Sequence, residues 1–216
     1  FVVTLFSAKA QQNITVEEIY RGEFRTKGMD ALQSMKNTNQ YTVLNSDRTT
    51  RSQQIDLYDF ATLKKVSTLL DTKSHTDLAD GINDEKQILI ANNSNPIFRH
   101  SFTANYYLYN LNSKNLTKVL ENVQEPTFSP DGTKIAFAKE NNLFVYDIAS
   151  KNTTQITTDG KKNAIINGIT DWVYEEEFAF VRAFDWSSDS KKLAYIRFDE
   201  TEVPQFSMDL YKKDLY

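Results

Sequence analysis

The feature that most constrains the fold is a ten-residue motif that occurs twice along the chain. FSPDGTKIAF at residues 128–137 and WSSDSKKLAY at 186–195 share an aromatic residue, a Ser, an Asp, a Lys and a final aliphatic, Ala, aromatic triplet at matching positions. NTNQYTVL at 37–44 and NDEKQILI at 83–90 fit the same frame less closely. The aligned positions are 41, 88, 135 and 193, so the intervals between them are 47, 47 and 58 residues.

Each of the four units carries a second apolar segment with a similar ending. These segments are IDLYD at 55–59, YYLYN at 106–110, LFVYD at 143–147 and SMDLYK at 207–212. Further β-prone runs lie at 64–69, 116–120 and 153–157. Periods of about 40 to 50 residues with several short strands per unit are typical of β-propeller blades. The sequence therefore predicts an all-β fold that contains about four blades of a β-propeller.

The composition agrees with this fold class and excludes several kinds of site. The 11 Tyr and 14 Phe favour strands, since aromatic side chains fit a pleated sheet. A net charge of -4 gives no basic surface for nucleic acid. The absence of Cys excludes disulfides, thiolate metal sites and a nucleophilic thiol. No later apolar run approaches the roughly 18 residues that cross a bilayer, so we expect no membrane span.

Residues 1–10, FVVTLFSAKA, are typical of the end of a signal peptide, with an apolar run followed by an Ala-x-Ala cleavage pattern. We therefore expect an exported protein that is periplasmic, bound at the cell surface or secreted. A short buried strand is the alternative interpretation. Residues 11–216 are then the N-terminal portion of the propeller domain. Within them, Thr15 and Glu18 form a capping-box pattern that predicts a short helix over 14–20.

The longest interval contains a cluster of three glutamates, in the segment TDWVYEEEFAF at 170–180. An insertion between blades lies on one face of a repeat array, where binding surfaces usually form. We predict a short inserted helix over 171–178 with Asp171 as its N-cap. Trp172 and Tyr174 are expected to anchor this helix on the blade.

Successive residues of a helix turn by about 100°, so the three glutamates point to adjacent faces. Glu176 and Glu177 can then flank one cation, while Glu175 turns to a structural Arg or Lys. A solvated acidic patch is the ordinary role of such a run, but apolar neighbours on both sides oppose full exposure. Calcium prefers acidic ligands at an alternating spacing that is missing here, and a glycosidase pair needs opposed carboxylates. A primary ammonium group fits better, because two carboxylates accept its three donors well.

Three segments resemble the propeller domain of the dipeptidyl peptidase IV branch of the prolyl oligopeptidase family of serine peptidases. They are FRHSFTANYYLYNLN at 98–112, INGITDWVYEEEF at 166–178 and WSSDSKKLAYIRFDETEVPQFSMDLY at 186–211. The resemblance covers most of residues 13–216 and is dense from Arg99 onward. It implies an eight-bladed propeller above an α/β-hydrolase domain, with peptides bound in the cavity between them.

The resemblance also implies roles for individual residues. Glu176 and Glu177 match the pair that holds the free N-terminal amine of a peptide substrate, and Arg99 matches the residue that reaches the carbonyl of the penultimate residue. An ion pair within the blades, with Glu175 or another acidic neighbour, is the alternative for Arg99. We expect no metal and no other cofactor. Family members dimerise partly through an arm beyond residue 216, so a homodimer is expected.

We therefore expect the substrate-gating, N-terminus-recognising propeller of an exported serine dipeptidyl aminopeptidase that releases Xaa-Pro or Xaa-Ala dipeptides. The sequence contains no Gly-x-Ser-x-Gly nucleophile elbow, and neither His75 nor His100 has a triad arrangement. The catalytic α/β-hydrolase domain is therefore expected beyond residue 216, with no catalytic residue in this chain. A non-catalytic peptide- or protein-binding propeller, a tripeptidyl peptidase and a periplasmic sugar- or metal-binding propeller are the alternatives.

Overall fold

The computed structural model describes residues 14–26, 28, 32–35, 38–47, 49–50, 52–74, 80–83 and 86–207. The chain forms two compact units, Phe1–Ala31 and Leu32–Tyr216. Three sequence predictions lie outside the described residues. They concern the signal segment at 1–10, the surroundings of His75 and, except for its first residue, the strand at 207–212.

In the first unit, helix α1 spans Val16–Arg21, close to the predicted 14–20. Thr15 is its N-cap: the hydroxyl accepts the Glu18 N–H at 3.2 Å, and the Glu18 carboxylate accepts the Thr15 N–H at 2.8 Å. The helix ends at Gly22, whose φ of 73° costs glycine little. The capping box predicted from the sequence is therefore confirmed.

The second unit begins with a four-stranded antiparallel sheet in which strands adjacent in the chain are also adjacent in space. Its strands are β1 Leu32–Ser34, β2 Gln40–Asp47, β3 Ser52–Asp59 and β4 Lys65–Asp71, and a 3₁₀ turn follows at Thr72–Ser74. Such a meander of four short strands has the form of one propeller blade. The strand segments predicted for the first repeat unit at 37–44, 55–59 and 64–69 correspond to β2, β3 and β4, with bounds that differ by a few residues.

A seven-stranded antiparallel sheet contains the next two units. Its strands are β5 Asp80–Asn83, β6 Gln87–Pro96, β7 Phe102–Asn110, β8 Leu116–Phe128, β9 Lys134–Lys139, β10 Asn142–Asp147 and β11 Thr153–Gln155. Strand β8 changes partner along its length: residues 116–123 pair with β7, and residues 124–128 pair with β9. Positive φ angles of 53° at Asn122 and 51° at Glu125 bend the strand at this change. The sheet therefore consists of two consecutive blades joined through one bent strand.

The fourth unit contributes two short antiparallel pairs to the described part of the chain. Strand β12 Ile165–Asn167 pairs with β15 Arg197–Asp199, and β13 Phe184–Trp186 pairs with β14 Leu193–Tyr195. Helix α2, Trp172–Phe178, lies between β12 and β13 in the chain. The repeat positions 41, 88, 135 and 193 lie in β2, β6, β9 and β14. Neither helix in the described residues is long and apolar enough to cross a membrane.

The central strands of consecutive blades are buried on both faces. Alternate residues of a strand point to opposite faces of its sheet. In β6, Ile88 and Ile90 belong to an apolar cluster with Ile55 of the first blade. Leu89 and Ala91 of the same strand belong to a second cluster that extends over β7, β8, β9 and β10. One strand therefore contributes to the core on each side of its blade.

Strand β9 shows the same division. Ile135 and Phe137 belong to the cluster shared with β6, whereas Ala136 and Ala138 belong to a third cluster that includes Phe184 of β13. Each blade thus covers one face of the next. Stacking of neighbouring repeats is how a propeller buries sheets that no helix covers.

The ten-residue motif forms the same hydrogen-bonded turn in both of its copies. Ser129 Oγ donates to Asp131 Oδ1 at 2.6 Å and accepts the Lys134 N–H at 3.0 Å. Ser187 Oγ likewise donates to Asp189 Oδ1 at 2.6 Å and accepts the Lys192 N–H at 2.9 Å. The Ser190 hydroxyl in the second copy also accepts the Asp131 N–H at 3.0 Å, so the two turns contact each other. The sequence repeat is therefore a repeat of side-chain hydrogen bonding.

We predict that the charge of Asp131 stabilises this turn. Hydrogen bonds from the Ser129 hydroxyl and from the N–H and hydroxyl of Thr133 hold the pKa of Asp131 at about 2, below its ordinary 3.8. Because the folded-state pKa is depressed, this stabilisation is present above pH of about 3.8 and is lost as the pH falls towards about 2. Asp131→Asn should lower the Tm of the intact protein at neutral pH, and the difference from wild type should narrow below pH of about 4.

Thermal unfolding followed by circular dichroism over this pH range measures both variants. Asp189→Asn tests the second copy of the turn in the same way, since hydrogen bonds from the Ser187 hydroxyl and the Lys191 N–H lower the pKa of Asp189. A Tm difference that stays constant with pH would show that the carboxylate charge has no part in the turn.

Candidate functional site

Helix α2 lies in an insertion whose two ends are joined. The Thr170 N–H donates to the Val181 carbonyl at 3.1 Å, and the Thr170 hydroxyl donates to the Phe180 carbonyl. At the start of the helix the Asp171 carboxylate accepts the Tyr174 N–H at 2.9 Å. The predicted helix and its predicted N-cap are therefore both confirmed.

The two aromatic residues expected to anchor the helix behave differently. Tyr174 packs against Phe198 of β15, with ring centroids 5.1 Å apart, and against Phe178 at 5.7 Å. Trp172 is 54% exposed, so the expectation that it anchors α2 is wrong. Residues two apart on a helix are separated by about 200°, and both side chains cannot face the same blade.

Glu175 is the buried member of the glutamate cluster, with 1% of its surface exposed. Its Oε1 accepts the backbone N–H of Ser101 at 2.8 Å and that of His100. Both donors belong to loop 97–101 between β6 and β7, which is closed by a bond from the Ile97 N–H to the Ser101 carbonyl at 2.9 Å. The predicted Arg or Lys partner of Glu175 is therefore wrong, because main-chain donors satisfy the carboxylate instead.

The Glu175 carboxyl is ionised at neutral pH. Burial raises its pKa, but the Ser101 side chain and the N–H groups of His100 and Ser101 outweigh burial, so that the pKa falls below the ordinary 4.5. The Ser101 hydroxyl is buried and makes no hydrogen bond of standard geometry within the part of the chain that the structure describes. The buried charge is therefore stabilised by donors on a neighbouring loop and not by a cationic side chain.

Arg99, on the same loop, forms an ion pair with the next glutamate of the cluster. Its Nε lies 3.0 Å from Glu176 Oε2 and 3.2 Å from Glu176 Oε1. The Arg99 side chain is 71% exposed and that of Glu176 is 18% exposed. The alternative interpretation of Arg99, an ion pair with an acidic neighbour, is thus observed, with Glu176 and not Glu175 as the partner.

Glu177 is exposed and makes no hydrogen bond or ion pair with any described residue. The structure thus brings Arg99 and Glu176 together and places Glu177 next to them on the helix. The guanidinium of Arg99 contacts Glu176 alone among the described carboxylates, so its single positive charge does not offset the charges of both Glu176 and Glu177. Within the described ranges, no group of three or more His, Asp or Glu side chains could hold a metal ion. Ionised carboxylates have acceptors and no donors, so the oxygens of Glu176 and Glu177 can accept hydrogen bonds from N–H groups.

Two further carboxyl groups near α2 were not predicted from the sequence. Burial raises the pKa of Glu125, the positive charge of Arg182 opposes this rise, and the negative charge of Glu175 adds to it. Burial and the adjacent Asp171 raise the pKa of Glu200. Glu125 lies at the bend of β8, and no local sequence pattern marks a strand that changes partner. Both carboxyls hold their protons to higher pH than an exposed glutamate does.

A cavity of about 780 Å³ adjoins the first turn of α2. Its apolar walls come from loop 97–101, from β12 and from the start of the helix, and include Ile97, Phe98, Ile166, Trp172 and Val173. Asp171 and Glu200 add carboxyl groups to the lining. Arg99, Glu176 and Glu177 do not line it. The cavity is therefore a neighbour of the predicted amine site and not the site itself.

Comparison with known proteins gives consistent findings. The family described as dipeptidyl peptidase IV (DPP IV) N-terminal region matches residues 83–216. Dipeptidyl peptidase 4 of Felis catus is 39% identical over 135 residues, which cover 61% of this chain and 18% of that protein. The probable dipeptidyl peptidase 4 of Aspergillus clavatus is 41% identical over 129 residues, which cover 57% of this chain and 16% of that protein. The crystal structure of Porphyromonas gingivalis dipeptidyl peptidase 4 matches with a TM-score of 0.81 and 32% identity, over 95% of this chain and 30% of that one.

The chain spans less than a fifth of the length of these two curated relatives. The region matched by the family contains Arg99 and all of α2, so every residue of the predicted site lies inside it. The likeness to the solved structure extends further, since it covers nearly the whole chain, including the first blade.

We predict that the ion pair between Arg99 and Glu176 adds little to stability. An exposed pair contributes about 0–1 kcal/mol, so Arg99→Ala and Glu176→Ala should each lower the free energy of unfolding of the intact protein by about 1 kcal/mol or less. Glu175→Ala should lower it by about 1–3 kcal/mol, because it leaves two sheltered N–H groups without an acceptor. Denaturant unfolding followed by tryptophan fluorescence measures all three variants. A larger loss for Arg99→Ala than for Glu175→Ala would show that the pair is structural.

Proposed function

Because the chain belongs to the family of dipeptidyl peptidase IV N-terminal regions, we propose that it forms the substrate-binding propeller of a serine dipeptidyl aminopeptidase. In this proposal Glu176 and Glu177 bind the free N-terminal amine of a peptide, and Arg99 binds the carbonyl of the penultimate residue. The full-length protein then releases Xaa-Pro or Xaa-Ala dipeptides from peptide N-termini.

The observation that carries the proposal is the contact between Arg99 and Glu176 beside the exposed Glu177. A primary ammonium group has three donors and no acceptor, and an ionised carboxylate has only acceptors. Among the described residues, Glu176 receives a hydrogen bond only from Nε of Arg99, so its oxygens retain capacity for further donors. Charge-assisted hydrogen bonds of this kind are about twice as strong as neutral ones. The excess negative charge favours a protonated amine over a neutral N-terminus.

Arg99 can serve the same ligand with a different part of its side chain. A guanidinium carries five N–H donors, of which the one on Nε points to Glu176. The Nη atoms make no hydrogen bond to any residue in the described ranges and belong to a largely exposed side chain. A peptide whose amine lies at the carboxylates would therefore place a nearby carbonyl within reach of donors that Glu176 has already oriented.

Such a site determines which peptide bond is cut. Holding the amine at a fixed distance from the nucleophile allows only the bond after the second residue to reach attack geometry. The nucleophile would come from an α/β-hydrolase domain of the full-length protein, which we propose to be exported and homodimeric. Substrate length would then be selected by the propeller, and the chemistry would take place in the other domain.

The proposal predicts a large loss of activity when either carboxylate of the amine site is neutralised. In the full-length protein, Glu176→Gln or Glu177→Gln should lower kcat/KM for an Xaa-Pro chromogenic substrate by about 30-fold to several thousand-fold, as expected when one partner of a desolvated charge pair is removed. The matched control is Glu121→Gln, since Glu121 is an exposed carboxylate paired with Lys118 on β8. Wild-type activity in either site variant would overturn the proposal.

Acetylating the substrate amine tests the same contact from the ligand side. Acetylation removes the positive charge and two of the three donors, so the wild-type enzyme should not cleave N-acetyl-Xaa-Pro substrates. Comparison of initial rates for blocked and free peptides measures this effect. Equal turnover of the two would mean that the amine is not recognised. A serine-directed fluorophosphonate that fails to label the full-length protein would indicate a binding propeller without catalysis.

A further inference from the structure

Glu175 is not one of the residues proposed to bind the amine or the carbonyl of the peptide. It is buried and its carboxylate is directed away from solvent, onto loop 97–101. Both main-chain donors go to a single oxygen, Oε1. They are the N–H groups of His100 and Ser101, the two residues that follow Arg99. The buried carboxylate thus attaches to the main chain immediately beside the arginine.

This contact and the ion pair link two pairs of consecutive residues. Arg99 and His100 are neighbours on the loop, and Glu175 and Glu176 are neighbours on α2. Glu175 binds the backbone of His100, while Glu176 binds the side chain of Arg99. Two adjacent connections between the same two segments fix both their separation and their relative rotation, whereas a single exposed ion pair fixes neither.

The energies of the two connections are unequal. The Arg99 side chain is largely exposed, so its ion pair is screened and competes with water. The Glu175 carboxylate is shielded from solvent and receives two charge-assisted bonds. The position of the Arg99 backbone relative to Glu176 therefore depends on Glu175 and not on the ion pair.

We infer that Glu175 is a positioning residue for peptide substrates: its carboxylate sets the distance between the guanidinium of Arg99 and the carboxylates of Glu176 and Glu177. This inference rests on the proposed function, since it concerns the same ligand. It assigns to the first glutamate of the run a geometric role that differs from the binding role of the other two. A misplacement of about 1 Å can cost about 100-fold in rate, so a small shift of the loop is sufficient to matter.

Two substitutions separate geometry from charge. Glu175→Gln keeps a carbonyl oxygen at the position of Oε1, so it can still accept both N–H groups, but it removes the charge. Glu175→Asp keeps the charge and the acceptor but withdraws them by one methylene, about 1.5 Å. If Glu175 positions Arg99, the Gln variant should retain kcat/KM for an Xaa-Pro substrate within about 10-fold of wild type, and the Asp variant should lose about 100-fold. If Glu175 acts through its charge, the Gln variant should lose more kcat/KM than the Asp variant.

Hydrolysis of p-nitrophenyl acetate by the full-length enzyme provides the control for folding. This ester has no amine for the propeller to bind, so both variants should hydrolyse it at the wild-type rate. Loss of ester and peptide activity in parallel would mean that Glu175 supports only the fold, and it would overturn the inference. Equal peptide kinetics in wild type and the Asp variant would also overturn it.

The two proposals fail in distinguishable ways. If Glu176→Gln abolishes peptide turnover while Glu175→Asp does not, the positioning role is wrong and the amine site stands. If Glu176→Gln retains full turnover, the amine site itself is wrong, whatever Glu175 does.

Discussion

The central strands of the blades are buried on both faces, and this burial determines where every other element can lie. In β6 and β9, apolar residues point to both faces of the sheet, and the residues on the two faces belong to different clusters. Each blade therefore needs a neighbouring blade on either side. An extra segment cannot enter such a stack without separating two blades. The chain therefore places its additional residues in connections between strands, and α2 lies in one of these, between β12 and β13. The residues of the proposed site lie in two such connections, loop 97–101 and the insertion that contains α2.

The glutamate run shows how one helical turn distributes three identical side chains into three environments. Each residue of the helix is rotated by about 100° from the one before it. The Glu175 side chain therefore contacts a neighbouring loop, the mostly buried Glu176 side chain forms an ion pair, and Glu177 is exposed to solvent. Like charges at consecutive positions would repel if they shared one environment. Here the first is stabilised by two main-chain donors and the second by a guanidinium. The third has no partner among the described residues, which is the arrangement expected if a ligand supplies the positive charge.

The parts of the structure that could be predicted from the sequence are those determined by neighbouring residues. The Asp171 cap, the Thr15 capping box and the Ser129 turn each depend on side chains within three to five positions of one another. The partner of Glu175 could not be predicted, because its donors lie 74 and 75 residues away and are main-chain groups, which every residue except proline carries. The bend at Glu125 arises because β8 pairs with two different strands, which is a property of the assembled sheet.

The contact between Arg99 and Glu176 can stabilise the fold and take part in binding at the same time. The ion pair expected for a structural Arg99 is present, and among the described residues Arg99 uses only Nε in it. A guanidinium that is oriented through one nitrogen retains donors on its other nitrogens, so the ion pair is compatible with the proposed binding role. The same argument applies to Glu175, whose burial looks structural when considered alone. Because its donors are the two residues that follow Arg99, the same hydrogen bonds that stabilise the buried carboxylate also hold the loop of the proposed site.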